Sequence, residues 1–205
     1  MKKAIIRNKS DVIDAFLNNL ERDRSYQEAV QIVKENALGR IWLVGSGLYG
    51  NMISVKYGTR PQNNDWDFVV EEAITPLQLP ANWRREKNRS GTIKLVREDI
   101  SKIDLIPIDA IKSFERRFVE PTIENYLTGV PLTIQSCAMD LETKEIIGDK
   151  FWDSLETQII RILDPTEALE AAKIKFNLKE DNPRKSFYPY LVQCADKYEF
   201  HEQLD

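Results

Sequence analysis

Two periods of hydrophobic and polar positions run through this chain, and each change of period marks an element. Behind Ser10, Val12, Ile13, Phe16, Leu17 and Leu20 recur at helical spacing, and Ser10 is a residue type that caps helices. A second helix is expected from about Tyr26, with Ala29, Val30, Ile32 and Val33 apolar, ending near Leu38 and Gly39, where glycine suits a helix stop. The apolar run Arg40 to Val44 then reads as a buried strand that breaks at Gly45-Ser46-Gly47 into a helix reaching about Lys56. Tyr57 to Asn64 is loop by composition. Asp65 to Val70 alternates at period two, and Thr92 to Val96 reads as a strand pairing through a turn at Glu98-Asp99 with the extended run Lys102 to Ile108. Helices are expected over Ala110 to Phe118, over Thr122 to Thr128, and from about Phe151. In that last stretch Trp152, Leu155, Ile159, Ile160 and Ile162 share one face before Asp164-Pro165 interrupts it. Thr166 to Leu178 resumes the helix, and an aromatic-rich segment closes the chain. The pattern predicts an α+β fold with a mixed β-sheet packed by helices. Residues 1–39 form packing helices, 40–163 the central domain and 164–205 a helical extension.

Composition narrows the chemistry. With 205 residues, 42% of them hydrophobic, the chain suffices for one substantial core and a helical appendage. A net charge of -4 argues against a broad nucleic-acid clamp, which needs an excess of Lys and Arg. Cys137 and Cys194 lie far apart in apolar surroundings without metal-ligand spacing, which reads as reduced core thiols and a cytoplasmic setting. No secretory h-region or membrane-length apolar run is present, so a soluble, unprocessed protein is expected. The single histidine, His201, reads as a surface residue of a charged helical tail. Serine hydrolases, zinc hydrolases and histidine-based acid/base enzymes are therefore disfavoured.

The candidate chemistry lies between Arg40 and Val70. A strand that ends in Gly45-Ser46-Gly47 and turns into a helix leaves backbone N–H groups and a hydroxyl facing a phosphate. In the next strand Asp65 and Asp67 point to one side, roughly 6 to 7 Å apart, while Trp66 and Phe68 point to the other. Two such carboxylates repel each other unless a cation joins them, and hard oxygen ligands suit Mg²⁺, with Mn²⁺ as a substitute. Asp104 interrupts an otherwise apolar strand, and a lone buried carboxylate is costly unless paired or bound to metal, so it belongs beside the other two.

These residues resemble the nucleotidyltransferases related to DNA polymerase beta, whose pattern is a Gly-Gly or Gly-Ser turn opening a helix, an Asp-x-Asp strand and a later single Asp. Gly45 and Ser46 fall on the turn, Asp65 and Asp67 on the pair and Asp104 on the third carboxylate. Thr133 to Asp149 is similar to a Thr-Ile-Asn-Ala-Leu-Ala-Tyr-Asp-Leu segment with a following hairpin, found in the head domain of bacterial poly(A) polymerases and CCA-adding enzymes. The resemblance spans roughly residues 41–163 and implies a nucleotidyltransferase fold, here as a stand-alone head-like domain. It implies that Asp65, Asp67 and Asp104 are catalytic and bind two Mg²⁺ ions, and that Gly45, Ser46 and Gly47 hold the phosphates of an NTP, with ATP favoured. NMP then passes to an acceptor hydroxyl, which Asp104 helps to deprotonate. The acceptor is open: an RNA 3′ end, a small molecule or a protein. Leu48-Tyr49-Gly50-Asn51 stands where the family carries an Arg-Asp pair, and Gly129-Val130-Pro131-Leu132 where it carries Arg-Arg-Asp-Phe.

Three basic features stay open between function and solvated surface: Arg60, a loop arginine that could reach a triphosphate; the run from Trp83 to Gly91; and Lys112, Arg116 and Arg117. The alternative to an enzyme is a non-catalytic nucleotide-binding module that regulates or assembles.

Overall fold

The computed structural model describes residues 5–6, 8–59, 65–88, 91–97, 102–177 and 187–203. Their contacts divide the chain into two compact units. One comprises the residues up to Ala110 together with Ala138–Ile146, and the other Ile111–Cys137 with the residues from Ile147 onward.

The first unit is built on the sheet. Helix α1, Lys9–Arg22, buries Val12, Phe16 and Leu20, one per turn, and α2, Arg24–Asn36, buries Ala29, Ile32 and Val33. Asn8, not the expected Ser10, caps α1, because its side chain accepts the Ser10 N–H and draws Ser10 inside the helix. Asp23 closes α1 with its N–H and opens α2 with its carboxylate, which starts α2 ahead of the expected Tyr26. Nor does α2 run on to Gly39. It stops at Asn36, whose buried amide donates to Ile32 and Gln78 carbonyls, and strand β1, Ala37–Val44, begins at once. Gly39 lies inside that strand at a register shift, with φ of 73° and the Glu71 side chain where a Cβ would project.

After α3, Gly45–Tyr57, come β2, Asp65–Ala73, β3, Trp83–Lys87, β4, Ile93–Arg97, and β5, Lys102–Pro107. The expected Thr92 to Val96 strand is β4, and Trp83 to Lys87 of the basic run form β3, which pairs antiparallel with it. Strands β6, Ala138–Asp140, and β7, Ile146–Ile147, complete a seven-stranded sheet in the order β3-β4-β5-β2-β1-β6-β7. β2 and β5 run parallel, while the pairs β1–β2, β1–β6, β3–β4 and β4–β5 run antiparallel, so the sheet is mixed as expected. One sheet face carries Trp66, Phe68, Ile103 and Leu105, all buried, and burial of such a side chain contributes about 1.5 to 3 kcal/mol. Helices α2 and α3 cover that face: Trp66 stacks 5.1 Å from Tyr26 and donates its indole N–H to Ser25 Oγ at 3.0 Å. A Cβ on Gly47 would lie 2.8 Å from the Trp66 ring, so glycine lets α3 approach.

The second unit holds α4, Lys112–Arg117, α5, Ile123–Thr128, α6, Asp149–Thr157, α7, Pro165–Phe176, and α8, Tyr188–Tyr198. The apolar face expected to run on through Ile162 ends at Thr157. Gln158 turns left-handed at φ of 57°, and Ile159–Arg161 forms β8. β8 pairs in parallel with β9, His201–Gln203, so His201 is exposed as expected but lies on a strand, not in a helical tail. Asp164 opens α7 as its cap, with Pro165 in the first turn. Arg116 and Arg117 belong to this unit's framework: Arg116 pairs with buried Glu167, and Arg117 bonds to the Asn125 carbonyl and lies 3.6 Å from Asp164. Cys137 and Cys194 are buried free thiols, both pushed up in pKa by burial. Among the described residues no helix is long and apolar enough to cross a membrane.

Candidate functional site

The sheet face opposite Trp66 carries the chemistry. Along β2 the alternation directs Asp65 and Asp67 one way and the buried Trp66 and Phe68 the other. The parallel register with β5 sets Asp67 against Asp104 and Asp65 against Lys102. The antiparallel register of β4 and β3 extends the row, with Lys94 opposite Asp104 and Glu86 opposite Lys94. One line across four strands therefore reads Asp67, Asp104, Lys94, Glu86, with adjacent strands roughly 4.8 Å apart.

On the other flank of Asp67 the glycine turn closes in. Val44 pairs with Asp67, and Gly45 takes a left-handed φ of 68° as β1 hands over to α3. A Cβ on Gly45 would sit 2.0 Å from Asp67 Oδ2, so both the backbone conformation and the approach of the carboxylate require glycine. Ser46 follows in the first turn of α3, half-buried, and among the described residues no side-chain cap bond closes the helix N-terminus at Val44.

The two facing carboxylates are electrostatically burdened. Burial pushes the Asp67 pKa up to about 7, reinforced by the charges of Asp104 and Asp65 and by a hydrogen bond with Asp104. Asp104 is also raised, first by burial; Lys94 and a hydrogen bond from Asn88 oppose this, and Asp65 adds to it. Asp104 Oδ1 is buried without a hydrogen-bond partner. Asp65 is more exposed, with Lys102 Nζ 4.0 Å from its Oδ1. Asn88 closes the β3–β4 turn, where its Oδ1 accepts the Thr92 N–H at 2.9 Å.

Among the described residues no group of three or more acidic, histidine or cysteine side chains is arranged to hold a metal ion. The donor chemistry of Asp67 and Asp104 nevertheless fits a divalent cation: two hard carboxylates face each other in a partly desolvated row, one with an unsatisfied oxygen. The structure thus brings Gly45, Asp67 and Asp104 together, sets Ser46 and Gly47 in the adjoining helical turn and keeps Asp65 at the rim. Arg60 lies outside the described residues. Lys94 and Asn88 have no part in the motif read from the sequence. Lys94 was accessible there only as a polar position in an apolar strand two positions from the Gly-Thr turn.

No family model matches the sequence, and no curated protein matches it. Among solved structures the chain is similar to a CCA-adding enzyme with CTP, at TM-score 0.51 and 18% identity, covering 94% of this chain and 48% of that one. It is also similar to an apo form of a tRNA-processing enzyme, at TM-score 0.53 and 18% identity, covering 85% of this chain and 44% of that one. The chain spans less than half the length of either structure. Over that span it shares the fold of the CCA-adding enzyme and of the tRNA-processing enzyme.

Proposed function

We propose that this chain is a nucleotidyltransferase that moves NMP from an NTP to an acceptor hydroxyl. The observation that carries the reading is the in-register Asp67–Asp104 pair pressed against the Gly45 turn. The α3 N-terminus and Ser46 offer donors for the terminal phosphates of the NTP, and ATP is the favoured donor. The acceptor oxygen forms a bond to the α-phosphorus as the bond to the β-phosphate oxygen breaks, and that bonding pair departs with pyrophosphate. The hydroxyl proton passes to Asp104, whose raised pKa brings it closer to neutrality, where a carboxylate is a better acceptor. Asp67 and Asp104, with Asp65 at the rim, would hold Mg²⁺ or Mn²⁺, which when bound neutralises phosphate charge and polarises the reacting P–O bonds. Without a cation, a shared proton joins Asp67 to Asp104 by a hydrogen bond, and a bound cation would take that proton's place.

The test supplies each labelled NTP with tRNA, small metabolites and protein extract as acceptor pools. Asp104→Asn, nearly unchanged in shape, is expected to retain most NTP affinity while transfer falls at least about a hundredfold, and Asp67→Asn to lower both. The non-catalytic reading draws on Leu48 to Asn51 and Gly129 to Leu132, which stand where the resembled family carries its Arg-Asp pair and Arg-Arg-Asp-Phe. Tight NTP binding that survives Asp104→Asn, with no product from the wild type in any pool, would replace the enzyme with that binding module.

A further inference from the structure

The row of side chains across the sheet has two chemically different ends. At the β1 end the Gly45 turn and the start of α3 adjoin Asp67 and offer uncharged N–H and hydroxyl donors. At the β4 end stands Lys94, on the far side of Asp104 and two strands, roughly 10 Å, from Asp67. Lys94 is half-buried, and its side chain makes no hydrogen bond or ion pair with a described residue, although both aspartates feel its charge. The carboxylate on its other side, Glu86, receives a hydrogen bond from Arg84 Nε at 2.9 Å. A partly desolvated ammonium without a bonded partner is costly, and the cost is recovered when an anion docks against it.

The position of that anion follows from the order of groups along the row. If the terminal phosphates of an NTP sit at the Gly45 end, the α-phosphorus lies over the Asp67–Asp104 pair, and an in-line attack must come from the β4 side. We propose that Lys94 holds a phosphate group of the acceptor, carried close to its attacking hydroxyl, so that donor and acceptor enter the row from opposite ends. The inference rests on the nucleotidyltransferase reading and narrows its acceptor to phosphorylated hydroxyl compounds. Both a small phosphorylated alcohol and the terminal nucleotide of an RNA present that chemistry. A bare alcohol or a serine hydroxyl does not.

The experiment occupies the nucleotide end with an α,β-methylene analogue of ATP and Mg²⁺, and titrates the β4 end by calorimetry with glycerol, glycerol 3-phosphate and a short oligoribonucleotide. Wild-type protein is expected to bind a phosphorylated probe and not glycerol, and the tighter of the two phosphorylated probes identifies the source of the phosphate. Lys94→Met is expected to weaken that probe at least about tenfold, the loss of one charge-assisted contact, while analogue affinity changes by less than about threefold. Lys94→Arg should stay within about threefold of wild type for both, which shows that a cation at this place, not the packing of the methionine variant, governs the result. An equal loss of analogue affinity in Lys94→Met overturns the proposal, because Lys94 then serves the nucleotide. Probe binding indifferent to Lys94→Met overturns it as well. If the wild type binds no analogue, the transferase reading fails and the acceptor assignment fails with it; phosphate binding that still depends on Lys94 would then mark a plain anion site.

Discussion

Two carboxylate sites in the same sheet have been treated in opposite ways. Asp140, on β6, is buried, yet Arg40 bonds its Oδ2 at 2.7 and 3.1 Å and the N–H groups of Glu142 and Thr143 donate to Oδ1 at 2.8 and 3.0 Å. Burial raises its pKa, but those hydrogen bonds and the Arg40 charge outweigh burial, and the net shift is downward. Asp67 and Asp104, two and three strands away in the sheet order, are shifted upward, and one of their oxygens has no partner. The first site is complete within the chain and holds the turn after β6. The second leaves a buried carboxylate oxygen of Asp104 without a hydrogen-bond partner. A carboxylate in a sheet is thus a candidate for chemistry when its neighbours leave it unsatisfied, not because it is buried.

That contrast can be broken by substitution. Asp140→Ala is expected to lower unfolding stability by about 2 to 3 kcal/mol, since four N–H groups lose their acceptor, while nucleotide affinity of the folded protein is kept. Denaturant titration alongside nucleotide binding checks this, and loss of affinity in folded Asp140→Ala would erase the distinction between the sites. The pH dependence of stability sharpens it next. A carboxyl raised to about 7 in the folded state holds its proton where the unfolded chain has released it. Its stabilisation is therefore complete below the ordinary aspartate range and is lost as pH rises towards about 7. Metal-free wild type should lose roughly 1 to 3 kcal/mol across that interval relative to Asp67→Asn, as chemical denaturation at several pH values would reveal. Asp140, lowered instead, contributes above the ordinary aspartate range and loses its effect only as pH falls through its own depressed value. The smallest effect concerns the turn: Ser46→Ala should weaken NTP binding by about 1 kcal/mol, the loss of one hydrogen bond to a charged group, and unchanged affinity would move the phosphates away from α3.

Much of the sheet was legible because its signals are local. The alternation from Asp65 to Val70 announced a strand with carboxylates on one side, and the Gly-Ser-Gly break announced the handover to a helix. The fold class followed from the same elements. Gly39 was misread because a glycine after a helical pattern suits a helix stop as well as a bulge, and only the approach of Glu71 from β2 distinguishes the two. Ile159, Ile160 and Ile162 fit a helical stripe, but β-branched residues also suit a strand, and the partner that decides for the strand is the chain's far end at His201. The return of residues 138–146 to the sheet unit shows in the sequence only through the resemblance of Thr133 to Asp149, not through a local period. Lys94 was missed for a related reason: its place beside Asp104 is set by the register between two strands, and a single lysine in an apolar run reads as solvent-facing.

The parallel pairing of β2 with β5 has a consequence for how the site comes into being. β1, α3 and β2 follow one another along the chain, and β3, β4 and β5 form an antiparallel meander, so each set assembles from neighbouring segments. The Asp67–Asp104 contact crosses the seam where the two subassemblies dock, and closing a long stretch of chain must precede it. A local opening along this seam would separate the carboxylates while both halves kept their own hydrogen bonds, so the facing pair would be lost before the fold is.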